Sequence, residues 1–301
     1  MKGWILNRRW DTSVPEDYSV TRFRAQAEKE GLELRVLAPE DFELLVDRED
    51  RKSILIDGDE SQLPDFVLPR MGAKTTYFTF AVIRHLERLG VPCFNSSNAT
   101  DTVKDKLYTQ QILAETNLPV PKTMLVKFPV NLDLVEKHLG FPVVVKTLYG
   151  VQGRGVFLAE DRASLNDMMQ LIEVTDEKAN IIMQEFIEES YGKDLRVFMV
   201  GGRPVACMKR MNSGEGFKAN FSQGGHVEKY EITPEIEWLA TEACRATGLD
   251  IAGVDLLFDA EGRFKICEIN SAPGFKGIES VCDIDIPKEI FHFLRIRLGI
   301  V

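Results

Sequence analysis

The chain has 301 residues, of which 44% are hydrophobic and 28% are charged, and its formal net charge at pH 7 is −10. This is the composition of an ordinary soluble globular protein with a sizeable core, and the length corresponds to two domains or one large domain. A sequence-independent grip on nucleic acid needs a basic surface, so the acidic balance argues against that class of partner. A local basic pocket that binds an anion is still compatible with this net charge.

No stretch of the chain approaches the roughly 20 apolar residues of a membrane span. The start, MKGWILNRRW, has no long apolar run that would mark a secretory signal. The 5 cysteines are odd in number and scattered, and no CxxC pair occurs. This usage is typical of reduced thiols rather than of a disulfide framework, so we expect a cytoplasmic protein without a membrane partner.

The first third of the chain alternates strands and helices. Apolar runs predict strands over 3–7, 32–38, 65–70 and 91–95. Helical spacing predicts helices over 19–30 and 77–89, each followed by glycine. Strands separated by helices are typical of a parallel sheet, so we expect an α/β domain over residues 1–95.

The remainder has an α+β pattern. Predicted strands cover 141–147, 154–160, 180–186, 194–200 and 203–210, and a hairpin covers 252–270. Predicted helices cover 101–116, 162–172, 234–247 and 287–297. We expect two subdomains here, 96–188 with a glycine-rich segment and 189–301 with a candidate metal site.

The predicted hairpin AGVDLLFDAEGRFKICEIN carries the most informative polar residues. If Asp259 pairs with Phe264, then Asp255 falls opposite Glu268, and Asn270 shares their face because strand side chains alternate. The other face is then apolar, with Val254, Leu256, Phe258, Cys267 and Ile269. Carboxylate and amide oxygens suit a hard cation such as Mg²⁺. The alternative is a solvated strand face with ordinary polar residues.

The segment VVVKTLYGVQGRGVFLAE places Lys146 near the end of an apolar strand and Gly150, Gly153 and Gly155 in a short loop. Glycines let backbone N–H groups wrap an anion, and a lysine adds a point charge. The spacing is not that of a Walker A loop or of a dinucleotide fingerprint, and it favours a flap over phosphates. A tight hairpin without a ligand is the alternative.

The run IIMQEFIEESYGKDLRVFMV predicts an adenine site. An apolar strand continues into Gln184, Glu185, Phe186 and Ile187, a segment that can offer its backbone to a purine edge. Glu188 is placed to reach a ribose hydroxyl, and Asp194 and Arg196 begin the next strand on one face. The alternative is a solvated linker between strands.

Two further sites carry cationic candidates. Lys104 and Lys106 lie near the start of a helix, where most lysines are solvated. Arg70 ends the strand DFVLPR. Ligands of an open parallel sheet gather at the carboxyl ends of its strands, so we expect Arg70 to bind a substrate carboxylate, with a surface arginine as the alternative.

Taken in order, these segments resemble the ATP-grasp superfamily and, within it, the RimK group of ATP-dependent glutamate ligases. The matching segments are LPRMG (68–72), DKLYTQQILA (105–114), VVVKTLYGVQGRGV (143–156), QEFI (184–187), DLRVFMV (194–200), KANFSQGG (218–225), AGVDLLF (252–258) and CEINSAPGF (267–275). Each segment alone is a modest signal, and the ordered set is specific.

The resemblance implies roles for individual residues. It implies nucleotide contacts for Lys106, Lys146, Glu185, Phe186, Asp194, Lys218, Ala219 and Asn220. We expect further nucleotide contacts from Gly150, Gln152, Gly153, Gly155, Gln184, Ile187, Glu188 and Arg196. The expected catalytic residues are Lys146, Asn220, which the resemblance puts near the transferred phosphate, and Arg210, which is expected to hold the oxygens of an acyl phosphate. Two Mg²⁺ or Mn²⁺ ions are implied at Asp255, Glu268 and Asn270.

The implied reaction joins L-glutamate or a related amino acid to an acceptor carboxylate. The acceptor is a protein C-terminal tail, a peptide, a glutamate oligomer or a small cofactor, and the protein is expected to be a homo-oligomer. Substrate contacts are expected from Arg70, Gln223, Ser271 and Gly274. Gln223 departs from the family, which has arginine there, and an amide cannot copy a guanidinium. The departure leaves a regulatory ATP-binding module open as the alternative function, with a small-molecule kinase as a third.

Overall fold

The computed structural model describes residues 1–11, 13, 15–46, 54–148, 155–176, 179–214, 216–217 and 225–300. Its helices are α1 (Tyr18–Lys29), α2 (Tyr77–Arg88), α3 (Ser97–Lys104), α4 (Lys106–Glu115), α5 (Leu132–His138), α6 (Arg162–Thr175), α7 (Pro234–Thr247), α8 (Lys276–Val281) and α9 (Ile286–Leu298). Its strands are β1 (Lys2–Leu6), β2 (Glu33–Leu37), β3 (Phe42–Leu44), β4 (Ile54–Ile56), β5 (Asp59–Glu60), β6 (Phe66–Pro69), β7 (Thr123–Val126), β8 (Val143–Thr147), β9 (Val156–Ala159), β10 (Ile181–Glu185), β11 (Lys193–Val200), β12 (Arg203–Met211), β13 (His226–Lys229), β14 (Ile251–Phe258) and β15 (Phe264–Asn270). None of these helices is long and apolar enough to cross a membrane.

The N-terminal sheet has the order β2-β1-β6 and is parallel, as predicted. The strand predicted over 91–95 is wrong, because only Cys93 forms a bridge, with Val67. The chain turns soon afterwards, since Ser96 caps α3 by accepting from the Ala99 N–H. A small antiparallel sheet, β3-β4-β5, lies in the acidic stretch between β2 and β6.

The helix predicted over 101–116 is two helices. The chain breaks at Asp105, whose backbone is extended and whose side chain accepts from the Tyr108 N–H at 3.0 Å. An aspartate that caps a helix in this way competes with helix continuation, which the apolar spacing alone did not reveal. Lys106 is therefore the first residue of α4 rather than an interior residue of a longer helix.

A second sheet has the antiparallel order β7-β10-β8-β9, and α5 and α6 contribute to its core. The sequence patterns missed β7 and α5, which are short. The buried residues of this core are Val135, Val143, Val145, Ala159, Leu165, Met169, Ile181 and Met183. Lys146 lies opposite Ile182 in the register, near the end of β8.

The third sheet has the antiparallel order β13-β12-β11-β14-β15. One face packs on α7 through buried side chains such as Leu195, Val197 and Leu239. The same strands turn Asp194, Arg196 and Asp255 away from that core. The other face carries these charged groups at one end, and at its other end buried side chains such as Phe198 and Met208 pack in a core shared with α8 and α9. The sequence patterns missed the edge strand β13.

The hairpin of β14 and β15, which carries the candidate metal ligands, has the predicted pairing of Asp255 with Glu268, but the register nearer the turn differs from the prediction. Near the turn Phe258 pairs with Phe264, so the predicted pairing of Asp259 with Phe264 is wrong by one residue. A bulge between Asp255 and Leu256 restores the register. A bulge inserts one unpaired residue and turns its side chain to the other face.

That residue is Cys267, which was expected on the apolar face. Ile266 is buried in the core instead, and the Cys267 thiol lies 3.8 Å from the Lys146 Nζ of the second sheet. The bulge thus brings one side chain of β15 to Lys146 at the end of β8.

Candidate functional site

Four charged side chains form a continuous network on the polar face of the third sheet. Asp194 lies opposite Arg210 in the β11–β12 register, and Arg196 lies opposite Asp255 in the β11–β14 register. Arg210 donates to both Asp194 oxygens at 2.6 Å, and Arg196 donates to the two Asp255 oxygens at 2.7 and 2.6 Å. Arg210 also lies 3.0 Å from Asp255 Oδ2. Paired guanidinium forks of this kind hold carboxylates in a fixed orientation.

This network keeps the buried Asp255 ionised. Burial by itself raises the pKa of a carboxyl, but the guanidiniums of Arg196 and Arg210 outweigh burial and hold the pKa of Asp255 below its usual range. An ionised carboxylate is the form that binds a cation.

The predicted metal ligands lie together around Asp255. Glu268 faces Asp255 across the hairpin, and Asn270 Nδ2 lies 3.4 Å from Asp255 Oδ2. Among the described residues Glu268 has no hydrogen-bond or ion-pair partner. The described residues contain no cluster of three His, Cys, Asp or Glu side chains that could hold a metal, so the third ligand of this set is the amide of Asn270. Two carboxylates and an amide oxygen are a hard-oxygen set, and Mg²⁺ completes such a set with water and phosphate. The residues present therefore fit a magnesium site.

The candidate phosphate lysines converge at the end of β8. Lys146 Nζ donates to the Gln184 amide oxygen and lies beside the Cys267 thiol, one residue before Glu268. Lys106 Nζ donates to the Leu148 carbonyl at 3.3 Å. Lys104, in contrast, donates to the Thr75 carbonyl of the N-terminal domain. Burial raises the pKa of the Cys267 thiol, which the Lys146 ammonium opposes.

The predicted adenine segment runs between the second and third sheets. Gln184 is buried and donates to Thr123 Oγ1 at 2.8 Å, so its side chain stabilises the sheet edge. Glu185 Oε1 accepts from Lys265 Nζ at 2.8 Å and from the Lys122 N–H at 2.9 Å. The Glu185 carboxylate therefore ties β10 to β15, and its backbone remains the part that a purine could use.

The residues that follow complete this segment. The Phe186 ring packs edge-on against Tyr191 with centroids 6.2 Å apart, Ile187 is 7% exposed, and Glu188 is exposed at the start of a short 3₁₀ turn. The sequence interpretation did not identify Lys265. Its position on β15, where it is one residue before a core residue, is the signal that could have found it.

The loop after Asn270 connects the hairpin to the N-terminal domain. Arg70 Nη2 donates to the Pro273 carbonyl at 2.6 Å. Ser271 is 9% exposed, its carbonyl accepts from Asn95 Nδ2 at 2.8 Å, and Gly274 is exposed. Asn95 was not expected at the site. Its buried amide also bonds Ile251 O, Asp250 N and Ile251 N at 2.6 to 2.8 Å, which anchors the loop.

Several predicted residues lie outside the described part of the chain. They are Gly150, Gln152, Gly153, Lys218, Ala219, Asn220 and Gln223. Gly155 is described and closes the β8–β9 connection, where its carbonyl accepts from the Thr147 N–H at 2.9 Å. Its φ is +75°, and a Cβ there would lie 2.5 Å from Thr147 Oγ1, so only glycine fits.

Two family models match this chain. The RimK-like ATP-grasp domain matches residues 103–294, and the RimK PreATP-grasp domain matches residues 1–100. These matches confirm the predicted α/β fold, with its parallel N-terminal domain and an ATP-grasp part.

Curated relatives match nearly the whole length of the chain. The probable alpha-L-glutamate ligase of Legionella pneumophila (strain Corby) is 37% identical over 284 residues, which are 93% of this chain and 92% of the relative. The protein of the same name from Maridesulfovibrio salexigens is 35% identical over 296 residues, which are 98% of this chain and 95% of the relative.

Solved structures share the fold. The ATP-grasp ligase PsnB complexed with a minimal precursor superposes with a TM-score of 0.75 at 20% identity, covering 99% of this chain and 98% of that chain. A RimK domain protein ATP-grasp from Sphaerobacter thermophilus gives a TM-score of 0.71 at 18% identity, covering 97% and 99%.

Proposed function

Because the chain belongs to the RimK-like ATP-grasp family, we propose that it joins L-glutamate, or a related amino acid, to an acceptor carboxylate. It is an ATP-dependent ligase. The observation that carries the proposal is the meeting of the Asp255–Glu268 face with Lys146 through the bulge at Cys267. This arrangement supports a triphosphate held between lysines on one side and metal ligands on the other.

Each part of the nucleotide has candidate partners in this arrangement. The adenine lies along the backbone of 185–187, and the phosphates lie against Lys106 and Lys146. Asp255, Glu268 and Asn270 would hold two Mg²⁺ or Mn²⁺ ions, whose chemistry is to offset the negative charge of the phosphates. The glycine-rich segment 149–155 is proposed to cover the phosphates and exclude water.

The reaction has two steps, transfer of the γ-phosphoryl group and formation of the amide. A carboxylate oxygen of one substrate attacks the γ-phosphorus, the bond from that phosphorus to the β–γ bridging oxygen breaks, and ADP leaves with the electron pair. The amine of the other substrate then attacks the acyl carbon. Phosphate leaves with the electron pair of the C–O bond, and the nitrogen loses a proton as the amide forms.

The charge network orients the groups that act on these steps. Arg210 donates to Asp194 and Asp255 at once, so its guanidinium is held at the edge of the metal face. A fixed cation at that position stabilises charge on acyl-phosphate oxygens without reorganisation during the reaction. Asp194 acts as a positioning residue for Arg210.

The acceptor is proposed to be a peptide or protein tail, a glutamate oligomer or a small molecule with a free carboxylate. Gln223, where related ligases have arginine, favours a second candidate function: an ATP-binding regulatory module that does not ligate.

One experiment separates the two functions. The purified protein is incubated with ATP, Mg²⁺, a panel of amino acids and candidate acceptors. ADP release is followed over time, and the masses of the products are measured by mass spectrometry. ADP release that requires glutamate, with a product heavier by one glutamyl unit, supports the ligase. Nucleotide binding without amino-acid-dependent ADP release supports the regulatory module.

A further inference from the structure

Arg70 is a cation with few partners in the described part of the chain. Its only hydrogen bond there joins Nη2 to the Pro273 carbonyl at 2.6 Å. The Nε atom is buried and has no hydrogen-bond partner. The guanidinium also lies over the rings of Phe23 and Phe275, at 5.8 and 5.9 Å from their centroids. A guanidinium has five N–H donors, so the described residues take up only a small part of this group's bonding capacity.

The neighbouring carboxylate does not satisfy this cation. Asp17 raises the pKa of Arg70, but burial acts first and more strongly, and it lowers that pKa to about 10. Asp17 is used elsewhere, because its Oδ1 accepts from the Ser19 N–H at 2.9 Å and from the Ser19 hydroxyl to cap α1. Arg70 forms no ion pair with any described residue.

The other arginines of the site provide the contrast. Arg196 and Arg210 are enclosed as well, yet each has a carboxylate bound through two parallel hydrogen bonds. A charge removed from water is costly unless a counter-charge accompanies it. Arg70 therefore has the environment of an anion receptor rather than that of a structural ion pair.

Arg70 lies close to the candidate metal ligands Asp255, Glu268 and Asn270, because the Pro273 carbonyl that it binds belongs to the loop after Asn270. Pro273 follows the metal ligand Asn270 by three residues, and Cys267, beside Lys146, precedes it by three. Lys146 thus contacts the chain just before the metal ligands Glu268 and Asn270, and Arg70 contacts it just after them. The nucleotide phosphates at Lys146 and a ligand at Arg70 would therefore both lie next to the metal site.

The loop with Pro273 is pressed close to the sheet at this end. A Cβ on Gly253 would lie 2.7 Å from Pro273 Cβ and 3.5 Å from Arg196 Nε. A ligand held by Arg70 next to Pro273 is therefore adjacent to the charged face where the bond would form.

We propose that Arg70 is the receptor for a carboxylate of the incoming amino acid, with the carboxyl end of β6 supplying this contact from the N-terminal domain. The inference rests on the proposed ligation. The planar fork of a guanidinium matches a carboxylate in two parallel hydrogen bonds. Arg70 is intermediate in exposure although its Nε is buried, so part of the side chain remains within reach of a ligand. Binding the carboxylate here orients the amine of the amino acid toward the metal face.

The test compares Arg70→Gln and Arg70→Lys with wild type and with Arg84→Gln. Arg84 is a matched control in the same domain, since its guanidinium also lies over two rings, Tyr77 and Phe80, and donates to a main-chain carbonyl. We expect Arg70→Gln to raise the KM for the amino acid by about 10- to 100-fold, which is the loss of a charge-assisted pair. The KM for ATP should stay within about twofold, and Arg70→Lys should be intermediate.

Two analogues of glutamate identify the carboxylate that is read. 4-Aminobutyrate lacks the α-carboxylate, and 2-aminobutyrate lacks the γ-carboxylate. Wild type should discriminate against the analogue that lacks the group bound by Arg70, and Arg70→Gln should lose that discrimination. If Arg70→Gln retains the wild-type KM for glutamate, or changes the KM values of glutamate and ATP equally, the proposal is overturned.

A binding measurement keeps this test separate from the failure of the proposed function. Glutarate is titrated by calorimetry into wild type, Arg70→Gln and Arg84→Gln, each with ADP and Mg²⁺. Binding to wild type and Arg84→Gln, with loss in Arg70→Gln, supports the carboxylate receptor even if no ligation occurs. Equal binding to all three proteins, or no binding to any of them, overturns it.

Discussion

Arg196 and Asp255 form a two-pronged ion pair across β11 and β14, so the central candidate metal ligand already has a cationic partner. Arg210 adds a further contact to the same carboxylate at 3.0 Å. The two guanidiniums occupy Asp255 oxygens that a metal would also use. Metal binding at this face is therefore an exchange of cations, in which Asp255 gives up part of its contact with an arginine.

The first prediction concerns that exchange. Replacing Arg196 by methionine removes the competing cation while Arg210 still orients Asp255, so the apparent Kd for Mn²⁺ should fall, by roughly 3- to 10-fold. The free Mn²⁺ signal in electron paramagnetic resonance measures it. Arg203→Met, at an exposed position on β12, is the control and should leave Mn²⁺ binding unchanged. Weaker Mn²⁺ binding in Arg196→Met would mean that Arg196 assists the metal site instead.

Glu268 provides a second prediction, because it has no partner in the described part of the chain. Glu268→Gln keeps the side-chain shape and removes only the charge, so the melting temperature should stay within about 2 °C of wild type. Mg²⁺-dependent ADP release should fall by at least about 100-fold, as expected when a metal ligand is lost.

The matched control for that variant is Glu261→Gln on the turn of the same hairpin, where the carboxylate is exposed and pairs with Arg263. It should retain full activity. A Glu268→Gln protein that unfolds, or one that turns over normally, would contradict the assignment.

The third prediction tests the contact between β14 and the loop after β15. Gly253→Ala adds a methyl group that would lie 2.7 Å from Pro273 Cβ, so the loop must move. Overpacking of this kind costs about 1–3 kcal/mol of unfolding free energy. Urea denaturation measures that loss, and steady-state kinetics should show a higher KM for the amino acid.

Gly214→Ala is the control, since nothing lies within 4 Å of its added Cβ. It should change neither the unfolding free energy nor the KM. An amino-acid KM unchanged in Gly253→Ala would separate this loop from substrate binding.

The fourth prediction concerns the tie between the second and third sheets. Glu185 and Lys265 have side chains that are 17% and 21% exposed, and their charged atoms lie 2.8 Å apart. A double-mutant cycle with Glu185→Gln and Lys265→Met should give a coupling energy of about 1 kcal/mol, since part of the attraction is screened by solvent. Both single variants should also weaken ATP binding, measured by calorimetry.

Arg245→Met is the control, because Arg245 pairs with Glu242 at an exposed helix surface. It should leave ATP binding unchanged, and the Glu185–Lys265 coupling energy should be the same when the cycle is repeated in the Arg245→Met background. A coupling energy near zero would show that the tie between the sheets does not depend on this pair.

Local patterns were sufficient for much of this protein. The helix over 234–247 was predicted at its observed bounds, because a proline at its first turn and a glycine after its end mark both termini. The pairing of Asp255 with Glu268 was also predicted, although from a register that was wrong by one residue at the turn and that the bulge restored. The ordered motifs were sufficient for the family, which the matches over residues 1–100 and 103–294 confirm.

Local patterns failed where one residue changed the geometry. Asp105 ends one helix and caps the next, and helical spacing on both sides hides the break. The bulge at Cys267 was invisible for a related reason, because an extra residue in a strand leaves the apolar alternation plausible in either register.

By itself the sequence determined most of the helices and strands, the family and the residue types of the site, because propensity, capping and alternation act between near neighbours. Only the tertiary structure decided that Arg196 and Arg210 share Asp255, that Cys267 meets Lys146, and that Arg70 lacks a carboxylate partner among the described residues. Those relationships join residues tens to hundreds of positions apart. They depend on how three sheets pack together, which no local pattern encodes.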